Sequence, residues 1–137
     1  MNIAVVYQSR GGNTKKVAEA IARALHTAAW EVEEAKNLDC DLLILGSAVY
    51  AAQLDKKTKA FIDSLNGTSA KRVALFGTSA GGRKPFGMMR KALAKKGLPV
   101  DDRDLFIPGA WTFMNKGRPN DQDLANAEAW AKSLIEG

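Results

Sequence analysis

Apolar residues recur along the chain with two alternating periods. Ile3 to Tyr7 is an unbroken run rich in β-branched residues, the pattern of a strand covered on both faces. Val17, Ile21 and Leu25 then follow at four-residue intervals, with Ala18 and Ala22 beside them, and predict an amphipathic helix. Trp30 to Glu34 alternates apolar and acidic positions, which suits a short edge strand. Leu42 to Leu45 is a second buried run, ended by Gly46. Leu54, Thr58, Phe61, Ile62 and Leu65 mark the next helix, closed by Asn66-Gly67. Val73 to Phe76 is a third run, ended by Gly77. Phe86, Met89 and Leu93 supply another helical face, with Gly97 as its stop. Leu105 to Ile107 is the last strand, and Asn120 is placed to cap a final helix with Leu124, Ala127, Ala131 and Leu134 on its apolar side.

Strand and helix alternating in this way predict an α/β fold with five parallel strands and helices on both faces of the sheet. Only Ala35 to Cys40 separate the second strand from the third, whereas a parallel crossover normally needs about a dozen residues. The second helix is therefore expected to be reduced to a turn or absent. No repeat, linker or low-complexity tract interrupts residues 1–137, which are expected to form a single domain.

Composition narrows the class little: 46% hydrophobic and 26% charged residues are enough to build a globular core without covalent help. Cys40 is the only cysteine, so neither an intrachain disulfide nor a cysteine-based zinc site can form, and no metal site is expected. The first residues lack the features of a secretory signal, and Leu42 to Leu54 is too short to cross a bilayer. A cytoplasmic protein without membrane insertion is the expectation. The net charge of +5 is uneven: 11 Lys or Arg fall between Lys56 and Val100 against Asp63 alone. Such a surface suits an acidic protein, an anionic substrate or nucleic acid, or is simply a solvated face.

In open parallel sheets, ligands sit beyond the carboxyl ends of the strands, so the segments just after each strand carry the chemistry. The first is Ser9-Arg10-Gly11-Gly12-Asn13-Thr14, running directly into the first helix. Its glycines let successive N–H groups converge on one anion, and Ser9, Asn13 and Thr14 add side-chain donors. The helix start adds its positive dipole end. The alternative is an ordinary strand-to-helix turn capped by Asn13 or Thr14.

Ser9 to Thr14 resembles the phosphate loop of the flavodoxin family, a Ser/Thr-rich segment ending in Gly-Asn-Thr. Gly46-Ser47-Ala48-Val49-Tyr50 is similar to the family's loop that cups the isoalloxazine ring. Gly77-Thr78-Ser79-Ala80-Gly81-Gly82 is similar to the loop that closes over the ring's other side. Lys116 to Asp121 resembles the lead-in to the last helix of short family members, so the likeness spans the whole chain.

This resemblance implies a three-layer sandwich with strand order 2-1-3-4-5 and non-covalently bound FMN. Ser9, Arg10, Gly11, Gly12, Asn13 and Thr14 would bind the FMN phosphate. Ser47, Ala48, Val49 and Tyr50 would line the ring, with Tyr50 stacking on it. Thr78, Ser79, Ala80, Gly81 and Gly82 would offer backbone groups to its polar edge. The implied function is electron transfer between redox partner proteins, with the flavin doing the chemistry and no catalytic side chain required.

Several positions depart from the family pattern. Gly11 stands where a hydroxyl residue is usual, and Arg10 either compensates as a charged donor or points to solvent. The loop after the fourth strand has no aromatic; Phe86 is the nearest. The family is typically acidic, whereas Arg10, Lys15, Lys56, Arg83 and Lys84 surround this site. Positive surroundings penalise the reduced, anionic flavin less, so a less negative low potential is expected, together with partners that have an acidic docking face.

Other readings of the architecture lack their chemistry. A phospho-receiver domain needs clustered aspartates, but the first strand ends Tyr7-Gln8-Ser9. A low-molecular-weight phosphatase needs a thiolate inside a phosphate loop, and Cys40 lies outside any such loop. A nucleoside-triphosphatase needs Gly-Lys-Ser/Thr. The open alternatives are an FMN-dependent oxidoreductase, similar to quinone reductases or protoporphyrinogen oxidases, and a flavodoxin fold that has lost FMN. The absence of a loop insertion to shape a substrate pocket favours the carrier. His26 is expected to suit the C-terminal end of the first helix, and Trp130, within the last helix, to pack beside its apolar stripe.

Overall fold

The structure, a computed structural model, describes residues 1–50, 53–79, 84–108 and 117–136; the side chains of residues 48–50, 53, 79, 84 and 85 fall outside that description. Strand β1 (Ile3–Gln8) leads into α1 (Asn13–Ala24), and β2 (Ala29–Glu31) returns to the sheet edge. β3 (Cys40–Tyr50), α2 (Lys56–Ser64), β5 (Ala70–Ser79), α3 (Lys84–Lys95), β6 (Leu105–Pro108) and α4 (Asp121–Ile135) complete the alternation, with a two-residue strand β4 (Gln53–Leu54) before α2. The parallel strands lie in the order β2-β1-β3-β5-β6. Among the five parallel strands this is the expected 2-1-3-4-5.

The sheet separates two apolar cores. Val6, Leu43, Leu45, Val73 and Leu75 point to one face, where Phe61 and Ile62 of α2 and Phe86, Met89 and Leu93 of α3 cover them. Val5, Leu42, Ile44, Ala74 and Phe76 point to the other, under Val17, Ala18 and Ile21 of α1 and Ala127, Ala131 and Leu134 of α4. The alternation of neighbours between faces is the strand period of two, and both faces are apolar because helices cover both.

β3 and β5 run past Gly46 and Gly77, where the sequence pattern ends them. A Cβ on Gly46 would lie 2.0 Å from the Phe76 ring, its register partner on β5. That glycine marks a close approach within the sheet rather than a strand end. β2 is shorter than the alternation of Trp30 to Glu34 suggests, because Glu34 and Ala35 donate their N–H groups to the Glu31 carbonyl and close a turn. The connection from β2 to β3 contains no helix. Ala35 and Leu38 pack against the core in the place a crossover helix would fill.

The helix ends follow local chemistry. Leu54 belongs to β4, paired antiparallel with Val49, and Asp55 caps α2 by accepting the Lys57 N–H at 2.8 Å. Asn120 caps α4 as expected, and Asp123 completes a capping box. The Arg118 guanidinium grips the same buried Asp123 carboxylate and holds it below the usual range. His26 closes α1 in a left-handed conformation (φ 56°), while Thr27 N–H reaches the Ala22 carbonyl at 2.9 Å. Trp130 meets Phe76 edge-on, with ring centroids 6.4 Å apart, and donates its indole N–H to the Arg103 carbonyl.

At the end of the sheet opposite the carboxyl ends of β1, β3 and β5, Asp101 ties three elements together. It accepts from Arg72 on β5 and from both the backbone and the guanidinium of Arg103. Arg72 and Arg103 donate in turn to the Leu134 and Ser133 carbonyls near the end of α4. The two arginines hold the Asp101 carboxyl far below the ordinary carboxylate range.

Candidate functional site at the carboxyl edge of the sheet

β1, β3 and β5 end side by side: Gln8 is in register with Ser47, and Ala48 with Thr78. The segment Ser9–Thr14 therefore lies next to the ends of the two strands from which the other candidate loops leave. Helix α1 starts at Gly12, which has φ 88°, a left-handed conformation that glycine adopts without strain. Its N-cap is this glycine, and among the described residues no side-chain cap hydrogen bond closes the helix start. Neither Asn13 nor Thr14 acts as the cap that an ordinary strand-to-helix turn would have. The helix thus presents its positive end and its first N–H groups at the loop, the arrangement that suits an anion. Ser9 Oγ accepts the Gly12 N–H at 3.0 Å and curls the loop over this end. A Cβ at Gly11 or Gly12 would meet nothing within 4 Å, so the loop has open space on its outer side.

Thr14 is buried, and its hydroxyl lies 2.6 Å from that of Thr78, linking the start of α1 to the end of β5. Ser47 is likewise buried, with Oγ 2.9 Å from Thr58 Oγ1 on α2. Its side chain serves the joint between β3 and α2. Ala48, Val49 and Tyr50 continue β3, and Val49 and Tyr50 pair with Leu54 and Gln53, so this segment is a strand of a hairpin rather than an open loop. The side chains of Ala48, Val49, Tyr50 and Ser79 lie outside the described residues, as do Ala80, Gly81, Gly82, Arg83 and Trp111 altogether.

Arg10 is not simply turned to solvent. Its Nε and Nη2 both contact Asp55 Oδ2, at 3.0 and 2.9 Å, joining the first loop to the start of α2. Asp55 escaped the sequence reading, although an aspartate ahead of Lys56-Lys57-Thr58 is a helix-cap signal. Gln8 escaped it too. It is only 4% exposed, and its amide carbonyl has no hydrogen-bond partner among the described residues. Lys15 and Lys56 are exposed beside the site, and Lys57 is paired with Glu33. The basic excess of residues 56–100 is partly internal, since Arg72 and Arg90 are bound to Asp101 and Asp104. Lys59, Lys91 and Lys95 remain exposed on α2 and α3.

No helix among the described residues is long and apolar enough to cross a membrane. The backbone superimposes on a flavodoxin from the domain Archaea with a TM-score of 0.81 at 23% identity, covering 98% of this chain and 96% of that one. Flavodoxin 2 from Bacillus cereus gives a TM-score of 0.75 at 21% identity, over 98% and 97% of the two chains. An uncharacterized protein of Methanocaldococcus jannaschii is 25% identical over 99% of each chain. The sequence profile of the flavodoxin domain matches residues 4–112, which takes in the first loop, the β3 hairpin and the whole of β5. The chain belongs to the flavodoxin family.

Proposed function

We propose that this chain binds FMN non-covalently and carries electrons between redox partner proteins. The observation that carries this reading is the start of α1 at a left-handed glycine with no side-chain cap, next to open space at Gly11 and Gly12. A helix end left in that state suits a phosphate group, and membership of the flavodoxin family makes FMN the phosphate-bearing ligand of choice. Bound FMN would supply the redox chemistry.

Ser9, Arg10, Gly11, Gly12, Asn13 and Thr14 hold the phosphate in this reading. Ser47 braces β3 against α2, so that the following residues Ala48, Val49 and Tyr50 are fixed where they line the ring. Thr78, Ser79, Ala80, Gly81 and Gly82 border its polar edge. The Thr14–Thr78 link keeps the phosphate and ring segments at a fixed spacing, which is what tight binding without induced fit requires. Exposed Lys15, Lys56, Lys59, Lys91 and Lys95 favour a partner with an acidic docking face, and the expected setting is the cytoplasm.

The test is the visible absorption spectrum of the purified protein before and after addition of FMN. A yellow protein with a perturbed flavin spectrum is expected. A chain that stays colourless and leaves the FMN spectrum unchanged overturns the proposal.

A further inference from the structure

Within Ser9–Thr14, Arg10 is the only charged side chain, and the two glycines contribute none. Arg10 is also the residue that reaches across the site. Its guanidinium holds one carboxylate oxygen of Asp55 through both Nε and Nη2, while 61% of its side chain stays exposed. Asp55 is the fixed end of the pair: its side chain is 3% exposed, and its other oxygen accepts the Lys57 N–H at the start of α2. The positive end of α2 already offsets the Asp55 charge. The pair therefore leaves net positive character on the exposed guanidinium, beside the uncapped start of α1.

A flexible arginine on an open loop loses side-chain entropy when it closes on an anion, roughly 1–2 kcal/mol. One gripped by a buried carboxylate has already lost much of that freedom, and its planar fork keeps donors on more than one edge. We infer that Asp55 holds Arg10 as a fixed cation that makes this site discriminate phosphorylated from unphosphorylated flavin. The inference rests on the flavin-binding reading above. In it, Arg10 contacts the phosphate and Asp55 is a positioning residue that touches only Arg10.

FMN and riboflavin differ by the phosphate alone, so their affinity ratio isolates this contribution. Both ligands are titrated by fluorescence quenching onto the full chain and onto Arg10→Gln and Asp55→Asn; asparagine caps a helix as well as aspartate does, so α2 is preserved. The wild-type chain is expected to prefer FMN. Arg10→Gln weakens FMN by about tenfold or more, the worth of one charge-assisted contact, and leaves riboflavin within about twofold. Asp55→Asn weakens FMN in the same direction by about threefold, again sparing riboflavin. Equal losses for both flavins, or none, in Arg10→Gln overturn the inference while flavin binding stands. Tighter FMN binding in Asp55→Asn shows that the carboxylate merely neutralises Arg10 and overturns its positioning role. A wild-type chain that binds neither flavin overturns the inference and the proposed function together.

Discussion

Thr14 and Thr78 bring their hydroxyls to 2.6 Å across the two faces that α1 and β5 present to each other, and both residues are buried. Neither hydroxyl has water to fall back on. Thr14→Val keeps the shape and strands Thr78, which is expected to cost about 1–3 kcal/mol. The double variant Thr14→Val/Thr78→Val removes both polar groups and should recover a large part of that loss. Urea midpoints of the two single variants and the double variant give the coupling directly. Additive losses would show that the hydroxyls act separately.

Gly46 offers a sharper packing test. Because the Phe76 ring occupies the space where a Cβ would sit, Gly46→Ala forces the ring or the strand to move. Overpacking of this kind is expected to cost about 3 kcal/mol. Phe76→Leu makes room, so Gly46→Ala should be much milder in that background even though Phe76→Leu itself destabilises. A thermal melt showing that Gly46→Ala is harmless in the wild-type chain would contradict the geometry.

The same glycine shows where sequence legibility stops. Runs such as Leu42 to Leu45 identify buried strands because their period is local, and the stripe of Val17 and Ile21 identifies α1 for the same reason. Whether Gly46 ends a strand or accommodates an aromatic ring depends on Phe76, 30 residues away in the chain and adjacent only once β3 and β5 pair. β4 is too short to have a period at all. The candidate anion site at Ser9 to Thr14 was legible as a candidate because those residues are contiguous. Asp55 was not, because its significance comes from Arg10, which reaches it only through the fold. Ser47 and Thr14 stood out as hydroxyls in candidate loops, but the sequence does not reveal that each is bonded to a threonine on another element.

Asp101 makes stability depend on pH in a predictable sense. Its folded-state pKa is depressed, chiefly by hydrogen bonds from Arg103 and Arg72, relative to an unfolded aspartate near about 3.9. The unfolded chain therefore takes up this proton first as pH falls. The contribution of Asp101 is complete above the unfolded value and declines below about pH 4 towards the lower folded value. Asp101→Asn should accordingly lose more stability relative to wild type at pH 7 than at pH 2.5. Urea unfolding of both proteins at the two pH values checks this. A gap that is unchanged by pH would mean that Asp101 contributes through neutral hydrogen bonding alone.

Gln8 sets stability against binding. Its buried carbonyl has lost water without gaining a donor among the described residues, a penalty of about 1–3 kcal/mol for the ligand-free protein. The residue stands at the end of β1 beside Ser47, at the edge where the proposed cofactor lies. Gln8→Met keeps length and volume while removing the amide. The ligand-free variant is expected to be more stable than wild type by about 1 kcal/mol. If the carbonyl receives its donor from bound FMN, saturating FMN should raise the wild-type melting temperature more than that of the variant, closing or reversing the gap. A variant that is less stable without ligand would show that the amide already contributes to the fold. An equal FMN-induced shift in both proteins would place Gln8 outside the binding site.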